Sequence, residues 1–229
     1  MTTARWIIAL AALAACGGSD DDAASTTTSA AASTSTSTQP GSTTPGGTRC
    51  LVRLHGKSGT GSDTVVEDGV TIISPTGNAE GWGGRQWLYF PEGDYEAART
   101  IVADAVADCE QVILDGFSNG GSFAAKLYCR GETFDGRLVG VVVDDPVTDE
   151  GVEGCQPDPT LHLTLYWTGA LDAQAQPGWD CAEADWTCEG GVTIGIDAYA
   201  AALGTEPLES PFDEHQWYLD APELTQWPA

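Results

Sequence analysis

Basic residues are scarce. Nine Lys and Arg stand against 34 Asp and Glu, a formal net charge of −25, and after Arg137 neither occurs in the remaining 92 residues. Nucleic acid and anionic membrane surfaces are recognised through a basic footprint that releases counterions, so both are excluded as partners of the folded part. Histidine is rarer still, at three residues, which turns the search for a catalytic base into an elimination. No apolar run reaches the roughly 20 residues that span a bilayer. There is no Cys-x-x-Cys pair and no His at ligand spacing for zinc, and no loop with the alternating acids and Gly of an EF-hand. Neither a metal nor a cofactor is expected. What is present is apolar material, 41% of residues with eight Trp, too much for a wholly disordered chain.

The N-terminus reads as an address. Arg5 precedes the apolar run 6–15, which ends in Leu13-Ala14-Ala15-Cys16 and then leaves abruptly into Gly17-Gly18-Ser19-Asp20-Asp21-Asp22. A short basic start, an apolar stretch and small residues before the break describe a secretory signal. Leu-Ala-Ala-Cys resembles the bacterial lipobox, which implies a lipoprotein signal peptide over 1–16, lipidated at Cys16 and anchored in the cell envelope outside the cytoplasm. Residues 17–48 are dominated by Ser, Thr, Ala and Gly, lack apolar periodicity, and are expected to form a disordered tether. The domain is expected over 49–229, about the size that one core supports. Membrane contact is expected only through the anchor, and a monomer is expected. Setting Cys16 aside leaves Cys50, Cys109, Cys129, Cys155, Cys181 and Cys188, an even number that reads as three disulfides in an exported domain.

Within that domain short apolar runs alternate with helical patterns. Strands are predicted over 51–54, 69–74, 111–115, 138–143 and 161–167. Helices are predicted over 95–107 behind the cap Asp94, over 122–130 and over 194–203. Alternation of this kind implies an α/β fold, a mostly parallel sheet with helices on both faces.

Gly116-Phe117-Ser118-Asn119-Gly120 follows one apolar strand and precedes a helix. In that setting Gly-x-Ser-x-Gly forms a sharp elbow that lifts a serine hydroxyl above the sheet and aims helix N–H groups at a developing oxyanion. Ser118 is therefore the candidate nucleophile, and it needs a base. His55 lies upstream of it, and His162 sits near the start of a buried-looking strand, remote from the elbow, and reads as structural. His215 is left as the base. The acid belongs at the carboxyl end of a late strand, where Asp172 is favoured by position and Asp144 and Asp145 compete. The backbone N–H groups of Asn119 and Lys57 are the candidate oxyanion donors. Gly56-Lys57-Ser58 imitates a P-loop ending, but that motif requires Gly where Leu51 stands.

Leu54-His55-Gly56, the elbow extended to Gly121, Leu127-Tyr128-Cys129, Cys155-Gln156-Pro157, Thr168-Gly169-Ala170-Leu171-Asp172 and His215-Gln216-Trp217 together resemble the polyhydroxybutyrate depolymerase and feruloyl esterase branch of the α/β-hydrolases. The resemblance implies an extracellular serine esterase with Ser118, Asp172 and His215 as triad and a hydrolase sheet lacking its first two strands. It also suggests a Cys129–Cys155 disulfide, leaving Cys50–Cys109 and Cys181–Cys188. Thr168 stands where the family has His, Glu214 where it has Gly, and no Pro-Gly follows Trp217. The acidic surface disfavours polyanionic substrates, so small or oligomeric neutral esters are expected. The competing reading is a catalytically silent surface lipoprotein that uses the fold for binding.

So much self-repulsion is best tolerated where salt screens it, which suggests a saline habitat. Raising NaCl from about 0.1 to 1 M shortens the Debye length from about 10 to 3 Å and should raise the unfolding temperature. A protein most stable and most active at low ionic strength would contradict this.

Overall fold

The computed structural model describes residues 47–81, 83–90, 92–170 and 194–228. In chain order its strands are β1 (Arg49–Leu54), β2 (Ser62–Glu67), β3 (Val70–Ser74), β4 (Ala79–Gly81), β5 (Gly84–Gln86), β6 (Gln111–Phe117), β7 (Leu138–Asp144), β8 (His162–Trp167) and β9 (Pro207–Glu209). Three α-helices are interspersed, α1 (Glu92–Ala105), α2 (Asn119–Cys129) and α3 (Ile196–Leu203). Seven strands form one sheet in the order β2-β3-β1-β6-β7-β8-β9, parallel throughout except for the antiparallel β2–β3 edge, while β4 and β5 pair separately. The apolar strands predicted from sequence make its centre, and the architecture is the α/β-hydrolase arrangement of strands feeding helices across a parallel sheet.

Alternation along the strands divides the core in two. Val52, Leu54, Val112, Leu114, Val143 and Leu165 pack with Tyr95, Ala98 and Val102 of α1, Phe123 and Leu127 of α2, and Tyr199 and Leu203 of α3. The intervening Leu51, Ile113, Val142 and Tyr166 instead meet Ala221 and Leu224, with Tyr218 and Trp227 alongside. Coverage is therefore unequal among the described residues. The three α-helices share one face, and the other is closed by the C-terminal segment with its 3-10 turn Pro222–Thr225. Pro211, Pro222 and Pro228 prevent that segment from forming a longer helix.

Other differences from the sequence reading have local causes. β2 was not expected because all six of its residues are exposed, so it carries no apolar alternation. β9 is only three residues long. The helix expected at 122 begins at Asn119, directly after Ser118, because Gly120 and Gly121 are inside it. His162 is exposed, not buried. Thr48, assigned to the tether, is already docked, its carbonyl accepting the N–H groups of Glu110 and Gln111 at 2.9 and 3.2 Å. Residues 1–46, including Cys16, and the pair Cys181 and Cys188 lie outside the described residues. Cys50–Cys109 and Cys129–Cys155 are both closed as disulfides. Among the described residues no helix is long and apolar enough to cross a membrane.

Glycine is obligatory at the β6–α2 corner for reasons of space. A Cβ on Gly120 would lie 2.1 Å from the carbonyl oxygen of Leu54, and one on Gly116 would lie 2.4 Å from that of Gly120. Backbone cannot retreat from such contacts as a flexible side chain could. Gly116→Ala and Gly120→Ala should each cost at least about 1–3 kcal/mol of stability in denaturant titrations, the range of overpacked interiors. Gly93→Ala, with nothing within 4 Å of its Cβ position, provides the contrast.

Candidate active site

Ser118 occupies the corner with φ 54° and ψ −121°, a backbone conformation that L residues rarely adopt. Two bonds hold it there. Its N–H donates to the Asp144 carbonyl at 3.0 Å, prolonging the β6–β7 pairing, and its own carbonyl accepts the Ser122 N–H at 2.9 Å as the first turn of α2. Strain of this kind survives only where surroundings over-determine it, which is why it marks candidate functional residues. Ser118 is buried, 7% exposed, beneath the loop after β1. A Cβ on Gly56 would come within 3.1 Å of the Ser118 Cβ, so the loop approaches Ser118 closely through a residue with no side chain.

His215 comes to the same corner. Its ring stacks on Phe117, the residue before the nucleophile, with centroids 4.6 Å apart. Its Nδ1 lies 2.5 Å from Oδ2 of the fully buried Asp145. A carboxylate only accepts, so the bond assigns the proton to Nδ1 and leaves Nε2 with a free lone pair, the tautomer a general base requires. Asp145 also has a positive φ, 43°. Thr168 fixes its carboxylate from both sides, the Thr168 N–H donating to Oδ1 at 3.1 Å and the hydroxyl to Oδ2 at 2.7 Å.

The structure thus places the bonded pair His215 and Asp145 against Phe117, the residue that precedes Ser118 and Asn119. Asp172, the acid favoured by sequence position, lies outside the described residues, and the carboxylate bonded to His215 belongs to one of its two competitors. Thr168 was missed. Its signal was its position directly after β8, beside the strand ends where the competing acids lie.

The loop after β1 is tied down by a buried histidine, His55. His55 Nδ1 donates to the Gly56 carbonyl at 2.8 Å, and its Nε2 accepts the Gly77 N–H at 3.1 Å. Both bonds require a neutral ring, and burial, the largest influence, pushes its pKa down accordingly. The Trp87 indole N–H donates to the His55 carbonyl at 3.1 Å. Asn119 then closes the circuit, its Oδ1 accepting the Trp87 N–H at 2.7 Å and its Nδ2 donating to the Trp87 carbonyl at 3.0 Å. Lys57 lies in the turn that follows, next to Gly56.

Two further carboxylates lie beneath the site. Asp115 on β6 and Asp144 on β7 are both fully buried. Burial pushes Asp115 up to about 7, opposed by the Trp217 indole and by Arg53. Burial also pushes Asp144 up to about 7, opposed by the Tyr218 amide and reinforced by the negative charges of Asp115 and Asp145. The unfolded chain releases these protons near pH 3.8, and the folded state holds them until about 7. The stabilisation is therefore complete below about pH 4 and is lost as pH rises through about 7. In thermal unfolding between about pH 5 and 8, Asp115→Asn, which cannot ionise, should gain on the wild type as pH rises. A difference that stays constant with pH would refute the raised pKa.

No family model matches the sequence, and no curated protein matches it. Solved structures do show similarity. A carboxylesterase from Bacillus cereus is 18% identical, covering 77% of this chain and 84% of its own, at a TM-score of 0.48. The esterase PE8 is 16% identical, with 77% and 87% covered and a TM-score of 0.48. A protein of unknown function from Agrobacterium tumefaciens is 20% identical, with 77% and 87% covered, at 0.46.

Proposed function

We propose that this chain is an exported serine esterase acting on neutral carboxylic esters, with Ser118 as nucleophile, His215 as general base and Asp145 as the acid in the place expected of Asp172. The observation that carries this reading is the Asp145–His215 bond beside a strained serine at a strand-to-helix corner. Nε2 of His215 takes the hydroxyl proton as Ser118 Oγ attacks the ester carbonyl, and Asp145 stabilises the imidazolium that forms. The N–H groups of Asn119 and Lys57 receive the oxyanion. Collapse expels the alcohol, which takes the proton from His215, and water then hydrolyses the acyl-enzyme by the same route.

Two closed disulfides support an oxidising compartment, consistent with export and anchoring at Cys16. The Cys129–Cys155 bridge supports kinship with the polyhydroxybutyrate depolymerase and feruloyl esterase branch.

A fluorophosphonate probe should label the wild type and not Ser118→Ala. Asp145→Asn should lower kcat on p-nitrophenyl esters by on the order of a thousandfold or more, since it disturbs the tautomer of the base. A comparable loss in Asp172→Asn with Asp145→Asn intact would return the acid role to Asp172. Absence of any labelling would favour the silent binding protein.

A further inference from the structure

The segment that carries His215 has no regular secondary structure between β9 and the turn at Pro222, so something else must fix its position. Four successive polar contacts do so. After the bond from His215 to Asp145 comes Trp217, whose indole N–H donates to Asp115 Oδ1 at 3.0 Å. Next the Tyr218 N–H donates to Asp144 Oδ2. Then the Leu219 carbonyl accepts Nη2 of Arg53 at 3.2 Å, while Nε of the same guanidinium lies 3.6 Å from Asp115 Oδ2. The partners belong to the sheet itself. Arg53 on β1 is in register with Asp115 on β6, and Asp144 ends β7 opposite Phe117. Phe117 also stacks on both His215 and Trp217, at 4.6 and 5.7 Å.

A charged row on the sheet thus meets residues 217–219 one after another. We infer that Asp115 and Asp144 are positioning residues, which with Arg53 grip residues 217–219 and thereby hold the His215 imidazole in line with Asp145. Neither touches the reacting atoms. Their effect passes through the backbone two and three residues downstream of the base. Asp145 and His215 lie at the same rim, and Glu223 is held nearby by the Tyr166 hydroxyl, so the grip and the candidate acid–base pair share one charge cluster.

The kinetic part of the test rests on the esterase reading, whereas a spectroscopic part stands apart from it. The proton between His215 Nδ1 and Asp145 should give a far-downfield 1H resonance at low temperature that disappears in His215→Ala. Trp217→Phe keeps a ring against Phe117 but removes the donor, and Asp115→Ala removes the acceptor. Both should broaden or abolish the resonance and lower kcat by on the order of tenfold to a hundredfold, with KM changed less than about twofold. Asp115→Asn retains an acceptor oxygen and should restore most of the resonance and most of the rate. If the wild type lacks the resonance, or if Trp217→Phe and Asp115→Ala keep both resonance and kcat, the grip is refuted. If those variants lose the resonance while the wild type neither turns over esters nor reacts with the probe, the grip stands and the esterase reading falls.

Discussion

A carboxylate taken out of water must be given donors, and three of them, Asp115, Asp144 and Asp145, are taken out of water at one rim of this sheet. The local structure follows from that requirement. The donors are an indole, a backbone amide, an imidazole and a threonine, and all but the last belong to the C-terminal segment. The segment folds back over the sheet because these groups lie where its polar atoms can reach them. Its apolar residues, Ala221, Leu224 and Trp227, then close the face that no α-helix covers among the described residues. Removing one member of such a cluster leaves a buried charge without its counterpart, which is far more damaging than losing a surface ion pair.

The two residues with unusual backbone at this rim are neighbours in the pairing pattern. Phe117 stands opposite Asp144, so Ser118 and Asp145 are the next residue along each of two adjacent strands. Each turns into a positive φ where its strand stops. The chain therefore makes two sharp departures side by side, one presenting a hydroxyl and the other a carboxylate. The imidazole supplied by the C-terminal segment bonds Asp145 and stacks on Phe117, next to Ser118. Glycines at 116, 120 and 121 allow α2 to pack against β6 closely enough for the first of these turns to exist.

How far this was legible in the sequence depended on burial. β6, β7 and β8 announced themselves as apolar runs, and the elbow as a motif in the right setting. β2 could not be read, because an edge strand exposed at every residue leaves no alternation to detect. The candidate acid was ambiguous for a related reason. In a chain with 34 acids, sequence position near a strand end does not distinguish a carboxylate that faces the base from one that faces solvent. Among the described residues, the bond to His215 singles out Asp145. Asp115 offered a clue that went unused, since a lone charge inside Val112-Ile113-Leu114-Asp115-Gly116 is costly to bury and so implies a dedicated partner. Trp217 was noticed as part of a motif, but its role needed the fold, because 102 residues separate it from Asp115.

Both closed disulfides lie toward the opposite rim, where the parallel strands begin. Cys50 is the second residue of β1, and Cys129 is the last of α2, which runs back from the elbow. Among the described residues, covalent reinforcement and the candidate site are thus segregated to opposite rims of the sheet. Thiol-containing surroundings would therefore loosen the base of the protein first and reach the rim that carries Ser118 and His215 last.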